Sequence, residues 1–438
     1  MDKTLSAASV KGTIIPPSSK SYAQRAIALA LLSEGVTTLR NIEFCKDTLS
    51  AIECVKALGA KVEIIDESTI RIEGGLNPAG DTLNVGESGL ASRLFTPIAS
   101  LCDRAIRIEG EGTLLHRPMQ MMIEPLRDLG VHIKDGGGYL PFEVQGPMQG
   151  GKIRVDGSIS SQFITGLMLA LPLAKHDTTL YVDNPVSIPY LDMTIATAAL
   201  FGVEIMHNEG DYSEFFIEGN QHYTATDIAI EGDWSGASTM LVAGAIAGEV
   251  TLSNLSTLSR QADTAICQAL ERAGAGIIIE GNSITVSRRP LRAFTFDTTH
   301  CPDLFPVISV LAAFCQGTSR LAGVGRLANK ESDRAKAIIE MLTQMGVQAR
   351  IEGDVMVIEG HSLAQRLLSH AIPSEVEGSA APGLLRGGAY TSHHDHRMVM
   401  ALKVAELGAD SPITIDDEDC VAKSFPQFHD KWSKIERI

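Results

Sequence analysis

The chain has 438 residues, of which 44% are hydrophobic and 21% are charged, a composition typical of a globular protein of about two to four domains. Lysine and arginine number 37 against 53 aspartate and glutamate residues, which leaves a formal net charge of −16. Non-specific binding to nucleic acid or to an anionic membrane needs a basic surface, so this charge argues against both.

The cysteines and the apolar segments favour an intracellular setting. Seven cysteines are scattered without a CxxC pair, so neither a disulfide framework nor a zinc site is predicted. The opening MDKTLSAASVKG lacks the apolar stretch of a secretory signal, and the longest apolar runs are too short to cross a bilayer. The sequence therefore predicts a cytoplasmic protein.

Five short phrases of the sequence resemble one another. Each holds a glycine that follows a helical pattern and precedes a β-branched strand, namely Gly59, Gly130, Gly202, Gly274 and Gly346. Successive glycines lie 71, 72, 72 and 72 residues apart. Because glycine commonly ends a helix, this spacing predicts a series of α/β repeats, with six copies accounting for nearly the whole chain.

Each repeat is predicted to run helix, strand, helix, strand. The first helix of each is nearly all apolar and is therefore expected to be buried. In chain order these helices begin near SKSYAQRA, ESGLASRL, SSQFITGL, DWSGASTM, CPDLFPVI and HHDHRMVM. The sixth repeat is longer than the others, and its surplus falls within residues 361–392, part of which is interpreted as a surface loop without an assigned function.

Lysine and arginine recur in the first turns of the predicted helices, where they oppose the helix dipole. Free backbone N–H groups at a helix start already attract anions, and lysine and arginine add charge and hydrogen-bond donors for phosphate and carboxylate. The sequence therefore predicts a site for a small ligand with several negative charges. Aspartates at similar positions are interpreted as helix caps or cap partners; they are Asp47, Asp233, Asp263 and Asp333.

Two carboxylates, Asp303 and Glu331, stand among these cations. Groups that only accept hydrogen bonds would weaken pure anion binding, so their presence suggests proton transfer. The alternative is structural, with Asp303 capping its helix and Glu331 paired with Arg334, and the residues alone leave both interpretations open. The HHDH run at residues 393–396 lacks the ligand spacing of a zinc site and is interpreted as solvated or facing substrate.

The chain resembles the enolpyruvyl transferases in motifs that follow the family's order from residue 20 to about 428. They are PSSKSYAQRA, GESGLASR, LHRP, DGSISSQF, SIPYLD, EGDWSGAS, CPD, NKESDR, DHRMVM and AKSFPQF. The resemblance implies an α/β fold of two domains, each built from three βαβαββ repeats, with the active-site cleft between the domains. It places one domain at residues 14–229 and the other at 1–13 together with 230–438.

The resemblance also implies a reaction. The enolpyruvyl group of phosphoenolpyruvate would be transferred to the 5-hydroxyl of shikimate 3-phosphate with release of phosphate, a step of the shikimate pathway of aromatic amino acid biosynthesis. No metal and no organic cofactor would be needed. The expected partners are these two small molecules, with neither nucleic acid nor membrane, and the expected state is a monomer.

Matching the motifs one by one implies a role for each site residue. Shikimate 3-phosphate would be held by Lys20, Ser21, Arg25, Ser160, Ser161, Gln162, Ser187, Asp303 and Lys330. Phosphoenolpyruvate would be held by Lys20, Gly89, Arg117, Gln162, Arg334, Arg397 and Lys423. The catalytic residues would be Lys20, Asp303 and Glu331, with Asp303 as the base on the 5-hydroxyl and Glu331 exchanging the C3 proton.

The sequence departs from the family pattern at Glu87, Leu90 and Arg326, so the resemblance implies the reaction class but neither the local geometry nor the inhibitor sensitivity. Glu87 stands where many members carry asparagine, so its carboxylate is expected to point away from phosphoenolpyruvate or to pair with Arg93. Two rival functions are kept. One is the sister activity on UDP-N-acetylglucosamine, whose enzymes usually carry a reactive cysteine where this chain has Gly112, and the other is a non-catalytic anion-binding scaffold.

Overall fold

The structure, a computed structural model, describes residues 9–208, 210–328, 330–362 and 384–437. The chain divides into two compact units. The first unit contains Ser18–Glu231 and Arg260–Ala262. The second unit contains the described residues up to Pro17, Gly232–Ser259 and the described residues from Asp263 onward. The predicted domains, 14–229 and 1–13 with 230–438, stay a prediction.

Helices begin close to the polar motifs that the sequence singles out. Those of the first unit are α1 (Lys20–Leu32), α2 (Lys46–Ala57), α3 (Gly89–Ala99), α4 (Ile123–Asp128), α5 (Ser161–Ala170) and α6 (Ile188–Leu200). Those described in the second unit are α7 (Trp234–Ala247), α8 (Ile266–Ala273), α9 (Phe305–Ala313), α10 (Arg334–Gln344), α11 (His396–Ala405) and α12 (Phe428–Ser433).

The strands are short, mostly two to six residues. In chain order they are β1 (Val10–Ile14), β2 (Ser33–Glu34), β3 (Val36–Arg40), β4 (Lys61–Asp66), β5 (Thr69–Glu73), β6 (Thr82–Asn84), β7 (Ala105–Glu109), β8 (His132–Lys134), β9 (Phe142–Gln145), β10 (Gly151–Asp156), β11 (Thr178–Asp183), β12 (Met206–His207), β13 (Glu214–Ile217), β14 (Tyr223–Thr224), β15 (Ile228–Ala229), β16 (Gly248–Leu252), β17 (Gly276–Glu280), β18 (Ser283–Ser287), β19 (Thr295–Asp297), β20 (Gly317–Ala322), β21 (Gln348–Glu352), β22 (Val355–Gly360), β23 (Gly388–Tyr390), β24 (Ile413–Ile415) and β25 (Glu436–Arg437).

One sheet pattern recurs in both units. In the first unit the sheets run β15-β3-β5-β4, β6-β7-β9-β8 and β10-β11-β13-β12, with β14 and β2 forming a separate pair. In the second unit they run β17-β18-β16-β1-β25, β19-β20-β22-β21 and β23-β24. In each four-stranded sheet the first two strands are parallel and the last two add antiparallel pairs, as in β6 with β7 and β7 with β9. This is the βαβαββ order that the family resemblance implies.

Two repeats take their first strand from a distant part of the sequence. In the first repeat β15 pairs parallel to β3, with Ile228 opposite Leu39. In the fourth repeat β1 pairs parallel to β16, with Val10 opposite Gly248. The purely sequential helix–strand order predicted from the residues could not include these strands, because neither lies next to the repeat that it completes. In the sixth repeat residues 363–383, which cover most of the predicted insertion, lie outside the described residues.

The periodic glycines end helices, as predicted. Gly59, Gly130, Gly202, Gly274 and Gly346 follow the second helix of successive repeats, and all have φ between 81° and 116°. Side chains with a Cβ rarely adopt this left-handed region, whereas glycine enters it without steric cost. The spacing of about 72 residues therefore arises because each repeat needs a left-handed backbone conformation at the end of its second helix.

The first helices of the repeats form the centre of each unit. In the first unit α1, α3 and α5 pack together in one apolar core, and in the second unit α7, α9 and α11 pack against one another. Side chains cap the polar starts of α1, α3, α5, α7 and α11, as predicted for Asp233, whose carboxylate accepts from the Gly236 N–H at 2.7 Å. Asp333 likewise caps α10. No side chain of the described residues caps the start of α9. Burial of the apolar residues of these helices therefore fixes the positions of their polar first turns.

A search of the described helices finds none that is long and apolar enough to cross a membrane.

Replacing Leu29 by alanine tests this core. Leu29 lies in the middle of α1 and is 0% exposed, so its truncation should lower the free energy of unfolding by about 2–5 kcal/mol. The measurement is the midpoint and slope of urea unfolding. Leu49→Ala is the matched control, since Leu49 in α2 is 43% exposed and its truncation should cost less than about 1 kcal/mol. Equal losses in the two variants would contradict the assignment of α1 to the core.

Candidate active site

The buried guanidinium of Arg334 organises the polar centre of the second unit. Its Nη1 donates to Asp303 Oδ1 at 2.7 Å and its Nη2 to Glu331 Oε2 at 2.9 Å. Its Nε donates to Asp395 Oδ2 at 2.7 Å, and its Nη2 also reaches Asp395 Oδ1 at 3.2 Å. The Arg334 side chain is only 1% exposed. Three carboxylates thus compensate a charge that would be costly to bury alone.

Asp303 lies where several cations converge. Lys330 Nζ donates to Asp303 Oδ1 at 3.1 Å, and Arg397 Nη2 lies 3.9 Å from Asp303 Oδ2. Asp303 belongs to a short 3-10 helix, Pro302–Leu304, that leads into α9, and its carboxylate caps neither helix. The interpretation of Asp303 as a helix cap is therefore wrong, whereas the predicted pairing of Glu331 with Arg334 is confirmed.

The charges of this cluster, made up of Asp303, Lys330, Glu331, Arg334, Asp395 and Arg397, shift one another's ionisation. Burial acts to raise the pKa of Asp303, but Lys330, Arg334 and Arg397 outweigh it and hold that pKa well below its ordinary value. Burial acts to lower the pKa of Arg334, yet its carboxylate partners raise it well above the usual range. Asp303 is therefore an ionised carboxylate that its neighbouring cations stabilise.

Asp395 is a site residue to which the sequence interpretation gave no role. Besides holding Arg334, it accepts from the backbone N–H of Arg397 at 2.9 Å, which caps α11, and from Ser332 Oγ at 3.0 Å. One buried carboxylate therefore ties the start of α10 to the start of α11. Its position directly before His396, the first residue of α11, is a capping signal, but no local pattern in the sequence indicates its partner Arg334, which lies 61 residues earlier.

Asp263 was interpreted only as a cap or cap partner. The structure buries it completely, and its Oδ2 accepts from Ser235 Oγ in the first turn of α7. Burial first, and then the negative charge of Asp303, raise the pKa of Asp263 to about 7, while Arg397 and the Ser235 hydroxyl oppose the rise. The ionisation of Asp263 is thus influenced by two members of the cluster, Asp303 and Arg397.

Two further cations belong to this unit. Burial lowers the pKa of Arg326, one of the departures from the family pattern, and Asp303 acts in the opposite direction. Lys423, at the end of a 3-10 helix (Glu418–Lys423), is buried. No group of three or more His, Cys, Asp or Glu side chains within the described parts of the chain is arranged to hold a metal ion.

In the first unit Lys20 has a carboxylate partner of its own. Its Nζ lies 2.7 Å from Asp47 Oδ2, and both side chains are largely buried. Asp47 sits in the first turn of α2, whose N-cap residue is Cys45. This ion pair offsets the unfavourable placement of a cation in the first turn of α1.

Arg25 joins three helices of the first unit. Its Nε donates to Thr194 Oγ1 at 2.9 Å, its Nη1 to the carbonyl of Ser21 at 2.9 Å, and its Nη2 to Thr165 Oγ1 at 3.1 Å. Burial lowers the pKa of Arg25 to about 10, so it remains charged at neutral pH. The predicted contact with shikimate 3-phosphate stays a prediction, and the observed bonds brace α1 against α5 and α6.

The glycine-rich loop before α3 is closely covered by side chains. A Cβ at Gly89 would overlap the guanidinium of Arg117, and a Cβ at Gly112, where φ is +54°, would overlap the Glu87 carboxylate. Leu90, the second departure, is buried in the first turn of α3. Gly89 is therefore required here for the position of Arg117.

Arg93 links the elements that carry these residues. Its Nη1 donates to the carbonyl of Gly89 at 3.0 Å and to Gln162 Oε1 at 3.2 Å, and its Nη2 donates to the carbonyl of Pro118 at 3.2 Å. These bonds fix Pro118, which follows Arg117, and Gln162 in the first turn of α5 relative to the glycine-rich loop. The sequence, in which Arg93 is considered only as a partner of Glu87, does not indicate this bracing role.

The predicted serines lie at or beside helix starts of the first unit. Ser160 caps α5 by accepting from the Gln162 N–H at 3.2 Å, and Ser161 is the first residue of that helix. Ser187 precedes α6 with φ of +54° and is buried, and Ser21 lies in the first turn of α1. Each of the two units thus holds one part of the predicted residue set.

Comparison with known proteins identifies the family. The profile of EPSP synthase (3-phosphoshikimate 1-carboxyvinyltransferase) matches residues 6–432. The chain belongs to the EPSP synthase family. The 3-phosphoshikimate 1-carboxyvinyltransferase of Methanocorpusculum labreanum is 35% identical over 440 residues, covering 99% of this chain and 98% of that protein. The enzyme of the same name from Clostridium novyi is 33% identical, with coverages of 98% and 95%.

A solved structure supports the same assignment. EPSP synthase from Acinetobacter baumannii superposes with a TM-score of 0.79 at 26% identity, covering 99% of this chain and 97% of that chain. The enolpyruvyl transferase family and the two-domain α/β fold predicted from the sequence are therefore confirmed. The individual roles of the site residues stay predictions.

Replacing Arg334 by glutamine tests the cluster through protein stability. Removing a buried cation leaves its carboxylate partners uncompensated, so the free energy of unfolding of the second unit should fall by about 3–5 kcal/mol. Urea unfolding at pH 7.5 measures the loss. Arg350→Gln is the matched control, because Arg350 forms exposed pairs with Glu352 and Glu359 that contribute about 0–1 kcal/mol. Similar losses in both variants would contradict the proposed compensation.

The acid dependence of stability provides a second check on Asp303. Its folded pKa lies well below the ordinary value, so its contribution is complete above the unfolded pKa of about 4 and is lost as the pH falls through the folded value. Arg334→Gln removes one of the cations that cause this shift. The stability of the variant should therefore decline less steeply below about pH 4 than that of the unmodified protein, as measured by urea unfolding between pH 2.5 and 6. An equal or steeper decline would refute the assignment.

Proposed function

We propose that the chain transfers the enolpyruvyl group of phosphoenolpyruvate to the 5-hydroxyl of shikimate 3-phosphate and releases phosphate. The observation that carries this proposal is the pair of carboxylates, Asp303 and Glu331, that share one buried guanidinium with cations beside them. Cations recognise the phosphate and carboxylate groups of the two substrates, and carboxylates move protons. The reaction needs both kinds of group.

The chemistry assigns a task to each carboxylate. The 5-hydroxyl oxygen forms a bond to C2 of phosphoenolpyruvate while C3 gains a proton, which gives a tetrahedral intermediate. Loss of phosphate and of one C3 proton then restores the double bond. In the proposal Asp303 accepts the proton of the 5-hydroxyl and passes it to the departing phosphate. Glu331, protonated when the reaction begins, delivers a proton to C3 and later removes one. Protons and electron pairs balance without a redox partner.

The low pKa of Asp303 shapes its role as a base. While Lys330, Arg334 and Arg397 stabilise its ionised form, Asp303 is a weak proton acceptor. Substrate anions that bind those cations partly neutralise them, and the pKa of Asp303 then rises toward the useful range. Substrate binding and base activation are coupled in this proposal because they involve the same charges.

The remaining roles follow the motif matches. We assign Ser21, Arg25, Ser160, Ser161, Ser187 and Lys330 to shikimate 3-phosphate, and Arg117, Arg334, Arg397 and Lys423 to phosphoenolpyruvate, with Gly89 beside them and Lys20 and Gln162 serving both ligands. Four of the five N–H groups of Arg334 donate to carboxylates, so in this role the substrate anion replaces one of these partners or accepts from the remaining N–H. The protein is further proposed to act as a cytoplasmic monomer, which light scattering and cell fractionation can test.

The rival activity on UDP-N-acetylglucosamine has less support. A cysteine at position 112 would need a left-handed backbone, and its Cβ would overlap the Glu87 carboxylate. The non-catalytic scaffold also fits less well, because a pure anion-binding site has no use for two carboxylates that occupy its cations. Both alternatives remain outcomes of the assay.

The assay mixes the purified protein with shikimate 3-phosphate and phosphoenolpyruvate and measures released phosphate, with UDP-N-acetylglucosamine as the competing acceptor. Lys20→Ala, Asp303→Asn and Glu331→Gln should each lower turnover by at least ~100-fold, the scale of removing a positioned acid or base. Glu340→Gln, which removes an exposed carboxylate on α10, is the control and should retain normal turnover. Near-normal turnover in all three site variants would refute the assigned roles.

Gly89→Ala tests the phosphoenolpyruvate side of the site. An added Cβ would displace the Arg117 guanidinium, so the KM for phosphoenolpyruvate should rise by about tenfold or more, the effect of losing one charge-assisted hydrogen bond. The KM for shikimate 3-phosphate should change much less. Gly80→Ala is the control, since a Cβ at Gly80 meets nothing within 4 Å. An unchanged KM for phosphoenolpyruvate would contradict the assignment of Arg117 to the binding of that substrate.

A further inference from the structure

Arg25 is a buried cation that forms no ion pair with a carboxylate of the described residues. The residue is 2% exposed, and its hydrogen bonds go to uncharged oxygens, namely the hydroxyls of Thr165 and Thr194 and the carbonyls of Ser21 and Tyr190. The buried guanidinium of the second unit, by contrast, has three carboxylate partners. Because an unpaired buried charge is costly, Arg25 calls for an anion that these residues do not supply.

The N–H groups of Arg25 show how much of the guanidinium is left for a ligand. Nε donates to Thr194 Oγ1 at 2.9 Å, and Nη2 donates to Thr165 Oγ1 at 3.1 Å and to the Tyr190 carbonyl at 3.2 Å. Nη1 donates to the Ser21 carbonyl at 2.9 Å. A guanidinium has five N–H groups, so one N–H, on Nη1, has no acceptor among the described residues. Arg25 therefore keeps a single donor, on the nitrogen that also bonds the first turn of α1.

The contacts of the two threonine hydroxyls fix the direction of each hydrogen bond between them. Thr194 Oγ1 lies 2.7 Å from the Tyr190 carbonyl, to which it donates its one proton. Thr165 Oγ1 lies 3.1 Å from Thr194 Oγ1, so Thr165 is the donor and Thr194 the acceptor of that bond. Both oxygens then present lone pairs to Arg25, which has donors only. The donors thus run from Arg25 through Thr165 and Thr194 to the backbone of α6.

We propose that Thr165 and Thr194 are positioning residues that orient Arg25 for the binding of shikimate 3-phosphate. Four donors of the guanidinium are held by the protein, and the remaining Nη1 N–H donates to one acidic oxygen of the substrate. Because the protein acceptors are uncharged, they orient the guanidinium and leave its charge to be compensated by the substrate. This inference rests on the proposed function, which assigns Arg25 to that substrate, and adds to it two residues and a contact through a single donor.

The helix that carries Thr194 also offers a matched control. Thr194 is 0% exposed, and valine replaces it with nearly the same shape but without the hydroxyl, which leaves a buried N–H of Arg25 without its acceptor. Thr197 lies one turn further along α6 and is 1% exposed. Its hydroxyl donates to the carbonyl of Met193, four residues earlier, at 2.6 Å, as that of Thr194 donates to the carbonyl of Tyr190. Among the described residues Thr197 has no hydrogen bond to an arginine, so Thr197→Val repeats the chemical change without the contact in question.

The experiment measures the Kd for shikimate 3-phosphate by calorimetry without phosphoenolpyruvate, and the KM for each substrate, in the unmodified protein and in single variants. Thr194→Val should raise the Kd and KM for shikimate 3-phosphate about tenfold or more, the effect of disturbing a hydrogen bond to a charged group, and the KM for phosphoenolpyruvate by less than about twofold. Thr194→Ser keeps the hydroxyl and should stay within about threefold of the unmodified protein. Thr165→Val should raise the Kd less than Thr194→Val does, because Thr194→Val also removes the acceptor of the Thr165 proton. Thr197→Val should leave all three constants unchanged.

A merely structural role predicts a different pattern. Equal effects in Thr194→Val and Thr197→Val, or a loss in Thr194→Ser as large as that in Thr194→Val, would overturn the inference. If Thr194→Val fails to fold, an unchanged Kd in Thr165→Val would overturn it as well. A larger loss in Thr165→Val than in Thr194→Val would contradict the assigned direction of the hydroxyl bonds. Absence of phosphate release by the unmodified protein would instead refute the proposed function, and the calorimetric comparison would still decide the positioning of Arg25.

Discussion

The compensation of buried positive charge is the constraint on which the rest of the structure depends. A guanidinium as enclosed as Arg334 is stable only with carboxylates hydrogen-bonded around it. Those carboxylates come from three places in the sequence: Asp303 before α9, Glu331 before α10 and Asp395 before α11. Satisfying one cation therefore fixes three chain segments relative to one another, and the groups proposed to move protons are fixed with them.

This constraint divides the cations at the helix starts into two kinds. Arg25 and Arg334 each donate four hydrogen bonds to protein acceptors, and both brace neighbouring helices. Among the residues that the structure describes, the Arg397 guanidinium contacts the Asp303 carboxylate at 3.9 Å and the Met400 sulfur at 3.8 Å. The sequence suggested one shared task, anion binding, for all of them, because charge type and position are the same in each case. The hydrogen-bond partners of each cation, which the sequence does not reveal, distinguish the cations that also brace helices from Arg397, which is proposed only to bind an anion.

What could be predicted depended on how locally each feature is encoded. The left-handed glycines recur at constant spacing because each repeat ends its second helix in the same way, so one pattern predicted all five. Caps such as Asp233 could be predicted because the residue and its acceptor role lie within one turn. The pairing of Asp263 with Ser235 joins the two helix starts of the fourth repeat across 28 residues, and no local pattern in the sequence predicts it. The strand at Ile228–Ala229 was equally hidden, since two residues carry no alternating pattern.

The same physics explains how carboxylates proposed to move protons can lie beside cations proposed to bind the substrates. An ion pair such as that of Lys330 with Asp303 keeps both groups charged and oriented without substrate. The same ion pair lowers the affinity of the cation for another anion, and it lowers the basicity of the carboxylate. A substrate that brings its own negative charge relieves both restraints at once, because it supplies the cation with a new partner. In a site of this kind, affinity and basicity both depend on which anion occupies the cations, so protonation states and substrate binding must change together.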